Sequence, residues 1–194
     1  MLHTFVAYVE DIPGVLTRVA SLFRRLNINI NSLTVGRSER VGLSRLTLVC
    51  EASAEAGHRI RASLYKLENV VHVDDIAQAP SVTRELALIK VAATPQTRSN
   101  IFELVEVFRA RIVDLAPESL MIEMTGVESK IEGLIQVLNE GEGRVLEICR
   151  SGKMTMRRGH HTSRVLRAMG AGEKAEGDDL PEESTEEGEA IKLE

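Results

Sequence analysis

Residues 10–30 read "EDIPGVLTRVASLFRRLNINI". Two acids, Pro13 and Gly14 stand directly before a run in which Leu16, Val19, Phe23 and Leu26 recur at helical spacing. Asn27, Asn29 and Asn31 then alternate with Ile28 and Ile30. Pro13 restricts φ and Gly14 admits a close backbone approach, so the junction is a built loop. The stretch therefore predicts the end of a strand over 2–10, a turn, a helix over 14–25 and a second strand near 29–37.

Downstream, "GLSRLTLVCE" places Leu46, Leu48 and Cys50 on one face and Arg45, Thr47 and Val49 on the other, which predicts a strand with one face covered. Residues 54–67 carry Ile60, Leu64 and Leu67 at amphipathic helical spacing. "NVVHVDDIAQ" closes the unit as a strand. After "APSVTRE", read as a polar link, the same order returns. Strand 86–92 precedes helix 97–108 and strands near 111–116 and 119–125; helix 128–138 and the strand "GRVLEIC" complete the set.

The pattern is βαββαβ twice. Each unit most simply forms a four-stranded antiparallel sheet with both helices on one face, because every helix stripe and alternating strand has one face to hide. The expected class is α+β, two tandem ferredoxin-like units over 1–79 and 84–160. A unit of about 75 residues is marginal alone, so its bare sheet face and edges are expected to be covered by another copy.

Net charge is −5, but residues 171–194 hold ten acids and two lysines, leaving +3 for the remainder. This acidic, aromatic-free end cannot bury enough apolar surface to offset its ordering entropy, so 161–194 reads as a disordered tail, basic and then acidic. The basic run "RSGKMTMRRGHHTSRVLR" before it could meet an acidic surface or be a solvated extension. No apolar run of membrane-spanning length and no secretory signal is visible, so the cytoplasm is the expected compartment.

Two distant cysteines, Cys50 and Cys149, suggest neither a disulfide framework nor a metal site, and both read as buried strand residues. The histidines show no metal-ligand spacing, although the His160-His161 doublet could catch a metal adventitiously. Strand 43–51 lacks the aromatic platform an RNA-binding module of this topology needs. No phosphate loop, dinucleotide fingerprint, zinc-protease motif or nucleophile elbow occurs. Glu10 and Asp11, as neighbours on an extended strand, point to opposite faces and make no catalytic pair.

The opening junction is the remaining candidate. Backbone N–H groups at a helix N-terminus favour a carboxylate, and Asp11 can face an ammonium, so a free amino acid matches both. Asp11 can equally be a helix cap, Gly14 a tight turn, and each asparagine a helix stop, although three amides exceed what a stop requires.

At these residues a family resemblance emerges. "DIPGVLTRVASLFRRLNINI" resembles the ligand-binding signature of the ACT domain, a regulatory module of amino-acid metabolism. With "NINSLTVG" and "LSRLTL", and with "IFELVEVFRARIVDLAPESLMIEMTG" and "VLEICRSGKMTMRRG" in the second half, about residues 1–160 resemble the small regulatory subunit of acetohydroxyacid synthase, also called acetolactate synthase.

That resemblance implies a chain with no catalytic or metal site and no cofactor of its own. The implied partner is a catalytic large subunit using thiamine diphosphate, a divalent metal and usually FAD, which the small subunit activates and subjects to feedback inhibition by valine. It further implies a homodimer and an effector site of Asp11, Gly14, Val15, Leu16, Asn29 and Ile30, with the loop of one copy facing the second strand of the other. Val15, Leu16 and Ile30 would wall a branched side chain. Some relatives carry asparagine in place of Asp11; a carboxylate still suits an ammonium. The alternative is a stand-alone ACT-domain amino-acid sensor acting on a different enzyme or regulator.

Overall fold

The computed structural model describes residues 1–141 and 143–159. The predicted tail over 161–194 and the His160-His161 doublet lie outside the described residues. The first unit runs β1 (Leu2–Glu10), α1 (Val15–Arg25), β2 (Ile30–Arg37), β3 (Leu43–Glu51), α2 (Ala54–Tyr65) and β4 (Val70–Asp75). Its antiparallel sheet has the order β2-β3-β1-β4, with β2 and β4 at the edges. The helices cover one face, where Phe5, Val19, Phe23, Leu46, Leu48 and Leu64 pack with almost no exposure.

The second unit repeats the order with β5 (Ser81–Ala92), α3 (Arg98–Val107), β6 (Arg111–Ala116), β7 (Ser119–Gly126), α4 (Glu128–Glu140) and β8 (Val145–Arg150). Its core centres on Ile89, Ile101, Leu120, Ile122, Ile131 and Leu134. The fold is therefore α+β, a tandem pair of ferredoxin-like units.

Three expectations are corrected. The second sheet is five-stranded, because β9 (Met154–Arg157) pairs with residues 81–84, so most of the polar link is strand. Ser81–Arg84 lacks an apolar stripe because its partner strand, rather than a core, holds it in place. Secondly, β3 is covered on both faces: Thr47 and Val49 are as buried as Leu46 and Leu48. Thirdly, Cys50 is buried but Cys149 is exposed, since β8 is an edge strand on which Leu146, Glu147, Ile148 and Cys149 are all exposed.

The strands β8 and β9 are consecutive pieces of one antiparallel partner of β5, interrupted at Ser151-Gly152-Lys153. The β5–β9 end forms a two-stranded arm that lies against the first unit. The Lys153 N–H donates to Ser32 Oγ at 2.8 Å, and Thr34 Oγ1 donates to the Lys153 carbonyl at 3.2 Å. Arg45 donates to the Thr155 carbonyl, and Arg157 stands 3.9 Å from Asp74. Gly152 has φ of 79°, and a Cβ there would lie 2.9 Å from both Ser32 Oγ and Thr34 Oγ1, so glycine is required twice over. The chain's own arm thus contributes cover that was expected from a second copy.

Candidate functional site

The loop between β1 and α1 is pinned from two sides. The Asp11 N–H donates to the Gly42 carbonyl at 2.8 Å, and Ser44 Oγ donates to Asp11 Oδ1 at 3.1 Å. The Glu10 N–H donates to the Asn69 carbonyl, and Asn69 Nδ2 donates to Glu10 Oε2 at 2.7 Å. Glu10 and Asp11 therefore face different partners, as the alternation of an extended chain requires.

Gly14 is the N-cap of α1 with φ of 88°, in the left-handed region, and no side chain caps the helix. Asp11 accordingly is not the cap; its carboxylate is exposed and bonded laterally to Ser44. A Cβ built on Gly14 would meet nothing within 4 Å, so the space in front of the helix is open. The first N–H groups of α1 face that opening, where the helix dipole is positive. Val15 is 4 % exposed and belongs to the core, leaving only its backbone N–H for a ligand, whereas Leu16 is 44 % exposed beside the opening.

At the other end of α1, Asn27 takes φ of 54° and the Ile28 N–H returns to the Phe23 carbonyl at 3.1 Å, a left-handed helix stop. Asn29 is exposed and Ile30 is half-buried against the first core. Asn27 is thus spent on ending the helix, and Asn29 is not.

The structure does not bring the six residues together within one chain. Asp11 is tied to Ser44 at the start of β3, while Ile30 is registered opposite Cys50 near its end. Six residues of strand separate those positions by about 20 Å. Sequence reasoning also missed Gly42, Ser44 and Asn69, which hold the loop; Gly42, with φ of 83°, was visible as a turn residue, but its contact with Asp11 is long-range.

The corresponding turn of the second unit is built differently. Thr94 and Thr97 bond each other reciprocally, with the Thr94 N–H donating to Thr97 Oγ1 at 2.9 Å and the Thr97 N–H to Thr94 Oγ1 at 3.3 Å. Arg98 donates to the carbonyls of Ala116 and Pro117. The two threonines bond each other across the turn, and no glycine opens it.

Among the described residues no cluster of three or more metal-ligating side chains occurs, and no helix is long and apolar enough to cross a membrane. Burial, with Asp75 second, pushes the Cys50 thiol up to about 11.

Comparison with known proteins gives a consistent result. Residues 5–72 match the AHAS small subunit-like ACT domain, and residues 84–159 match the family described as the small subunit of acetolactate synthase. A probable acetolactate synthase small subunit from Archaeoglobus fulgidus is 45 % identical over 160 residues, covering 82 % of this chain and 99 % of that protein. The acetolactate synthase small subunit of Mycobacterium leprae is 48 % identical over 157 residues, covering 81 % and 92 %. The crystal structure of the Thermotoga maritima small subunit superposes with a TM-score of 0.76 at 40 % identity, covering 82 % of this chain and 98 % of that one. The tandem units, the uncapped glycine turn and these similarities agree, and the chain belongs to the family of acetolactate synthase small subunits.

Proposed function

We propose that the chain is the regulatory, non-catalytic subunit of a cytoplasmic acetolactate synthase: it binds a catalytic large subunit, raises its activity and confers feedback inhibition by valine. Thiamine diphosphate, a divalent metal and FAD belong to the large subunit in this reading. The observation that carries the effector role is the open, uncapped N-terminus of α1 at Gly14, beside the exposed Asp11 carboxylate. The helix N–H groups receive the amino-acid carboxylate, Asp11 receives the ammonium, and Leu16 contacts the branched side chain.

Homodimerisation completes this site. Among the described residues the edge strand β2 has an unpaired side, and its Arg37 end lies opposite Ser44, next to Asp11. An antiparallel β2–β2 pairing of two copies brings the partner's Ile30 end to that point, spanning the separation of about 20 Å within one chain. Asn29 and Ile30 then face the Asp11–Leu16 loop of the other copy. One methylene is worth only about 1–3 kcal/mol, so leucine and isoleucine compete with valine.

The second unit, whose equivalent turn is self-bonded, contacts the large subunit and relays the effector signal. Reconstitution tests the assignment: the purified chain alone shows no pyruvate condensation, while addition to the large subunit raises activity and makes it valine-sensitive. Turnover by the isolated chain, or no effect on the large subunit, would overturn it. Recovery of a different enzyme on co-purification would favour a stand-alone sensor.

A further inference from the structure

Between the β2–β3 side of the first sheet and the β5–β9 arm lies a groove of about 490 Å³. Its floor includes Val82, Met154 and Met156, all exposed, Met156 by 66 %. Four arginines line it, Arg37 and Arg45 from the first unit and Arg84 and Arg157 from the second, with no acid among the lining residues. Arg45 and Arg157 are engaged with Thr155 and Asp74, but Arg37 and Arg84 are exposed and face no carboxylate among the described residues. An apolar strip set among four cations suits an acidic segment carrying an occasional apolar side chain.

Such a segment lies in the same chain. Residues 176–189 read "EGDDLPEESTEEGE", with Leu180 and Pro181 set between Asp178-Asp179 and Glu182-Glu183. The described chain ends at Gly159, two residues beyond Arg157 of the groove itself. The intervening residues, 160–175, number 16, and a random coil of that length spans on the order of 22 Å, enough to return to the groove from there. Tethering at this length gives an effective concentration of about 1 mM, so a contact with a Kd of about 0.1 mM would be occupied roughly nine-tenths of the time. The segment also lies beyond residues 84–159, the part of the second half that matches the small-subunit family, so its occupancy of the groove would be an addition to the shared fold.

We propose that the arginine-lined groove between the two units is the docking site of the chain's own acidic segment, residues 176–189, which ties the arm to the first sheet. Neither Asp11 nor Gly14 lines the groove, although Thr34–Arg37 of β2 do, so the groove borders the edge proposed for pairing two copies without including the effector loop.

The test uses the full chain with Arg84→Lys, and separately Arg37→Lys, which keep the charge and supply an amine. A water-soluble carbodiimide activates a carboxylate; the amine displaces the resulting urea to form an amide, and mass spectrometry maps the linkage. Coupling of the new amine to acids within 176–189 is expected to exceed coupling of the remote Lys66 at least about fivefold, and to fall several-fold between about 0.05 M and 0.5 M salt as the exposed charges are screened. Equal coupling at position 84 and Lys66, or none at position 84 or 37, would overturn the proposal. A mixture of light- and heavy-isotope protein separates the sources: linkage within one chain supports it, and linkage only between chains assigns the groove to a second copy instead.

Discussion

Two glycines carry opposite demands. At Gly14 the space beyond the backbone is empty, so an added side chain meets only the φ penalty of about 1–2 kcal/mol and occupies the opening before α1. Gly14→Asp is therefore expected to leave a folded dimer that still activates the large subunit but is no longer inhibited by valine. The check is reconstituted activity with and without valine, after circular dichroism and sedimentation establish fold and dimer. Inhibition at an unchanged valine concentration would show that the effector binds elsewhere. At Gly57 the space is full: a Cβ would lie 2.2 Å from the ring of His3, which is held by Asp75 Oδ2 at 2.7 Å and stacked on Phe5. Gly-to-Ala inside a helix ordinarily gains about 1 kcal/mol. Here overpacking of about 1–3 kcal/mol outweighs that gain, and Gly57→Ala is expected to lower the denaturation midpoint. A raised midpoint would mean that the His3 ring moves freely.

The cysteines also divide at residue scale. Alkylation of the native protein should modify exposed Cys149 and spare Cys50 until unfolding. Because burial holds the Cys50 thiol at about 11 against an ordinary 9.0, the unfolded chain releases its proton first as pH rises. That contribution to stability is complete below pH 9 and is lost progressively toward pH 11. Native-state labelling of Cys50 as fast as Cys149 would contradict the packing.

Among the elements, the interrupted strand β8–β9 does the most to relate the two units. Gly152→Ala would add a left-handed strain to a clash with Ser32 and Thr34, costing about 1–3 kcal/mol. The expected signature is local: amide exchange accelerates at Met154–Arg157 more than in the second core, because the arm lifts from the first sheet while β8 stays paired. Uniform acceleration would mean that the arm and sheet unfold together. Glu85 is a second anchor of this region, buried and bonded to Arg150 Nη2 at 2.7 Å, with Glu132 completing the cluster. The paired carboxylates hold the Arg150 guanidinium above its ordinary value despite burial.

For the whole molecule, removing residues from about 80 onward takes away the arm that lies against Ser32, Thr34 and Arg45 of β2 and β3 and beside Thr47. Valine binding is expected to persist if the first unit still dimerises, while valine control of the large subunit weakens. The truncated form should melt below the full chain, since even about 100 Å² of newly exposed apolar surface is worth about 2–3 kcal/mol. Calorimetric titration together with thermal denaturation measures both. Loss of valine binding in a truncation that remains folded and dimeric would count against effector capture by the first unit.

The helix periodicity at Leu16, Val19 and Phe23, the alternation in β3, and the return of the same order after residue 85 were enough to read two ferredoxin-like units, because those patterns are local consequences of periods 3.6 and 2. The glycine turn was legible for the same reason: Pro13 and Gly14 constrain backbone angles wherever the chain goes. Burial of Val15, the ties from Gly42 and Ser44 to Asp11, and the separation of Asp11 from Ile30 were not legible, since each depends on which strand neighbours which. Nor was β9, a four-residue strand whose alternating Met154 and Met156 face outward while Thr155 is buried, and which is held by pairing with β5 and contact with the first sheet. Sequence alone determined the elements and the chemistry available at the first turn; tertiary structure decided which face of each element was already occupied, because burial and register are set by contacts between residues distant along the chain.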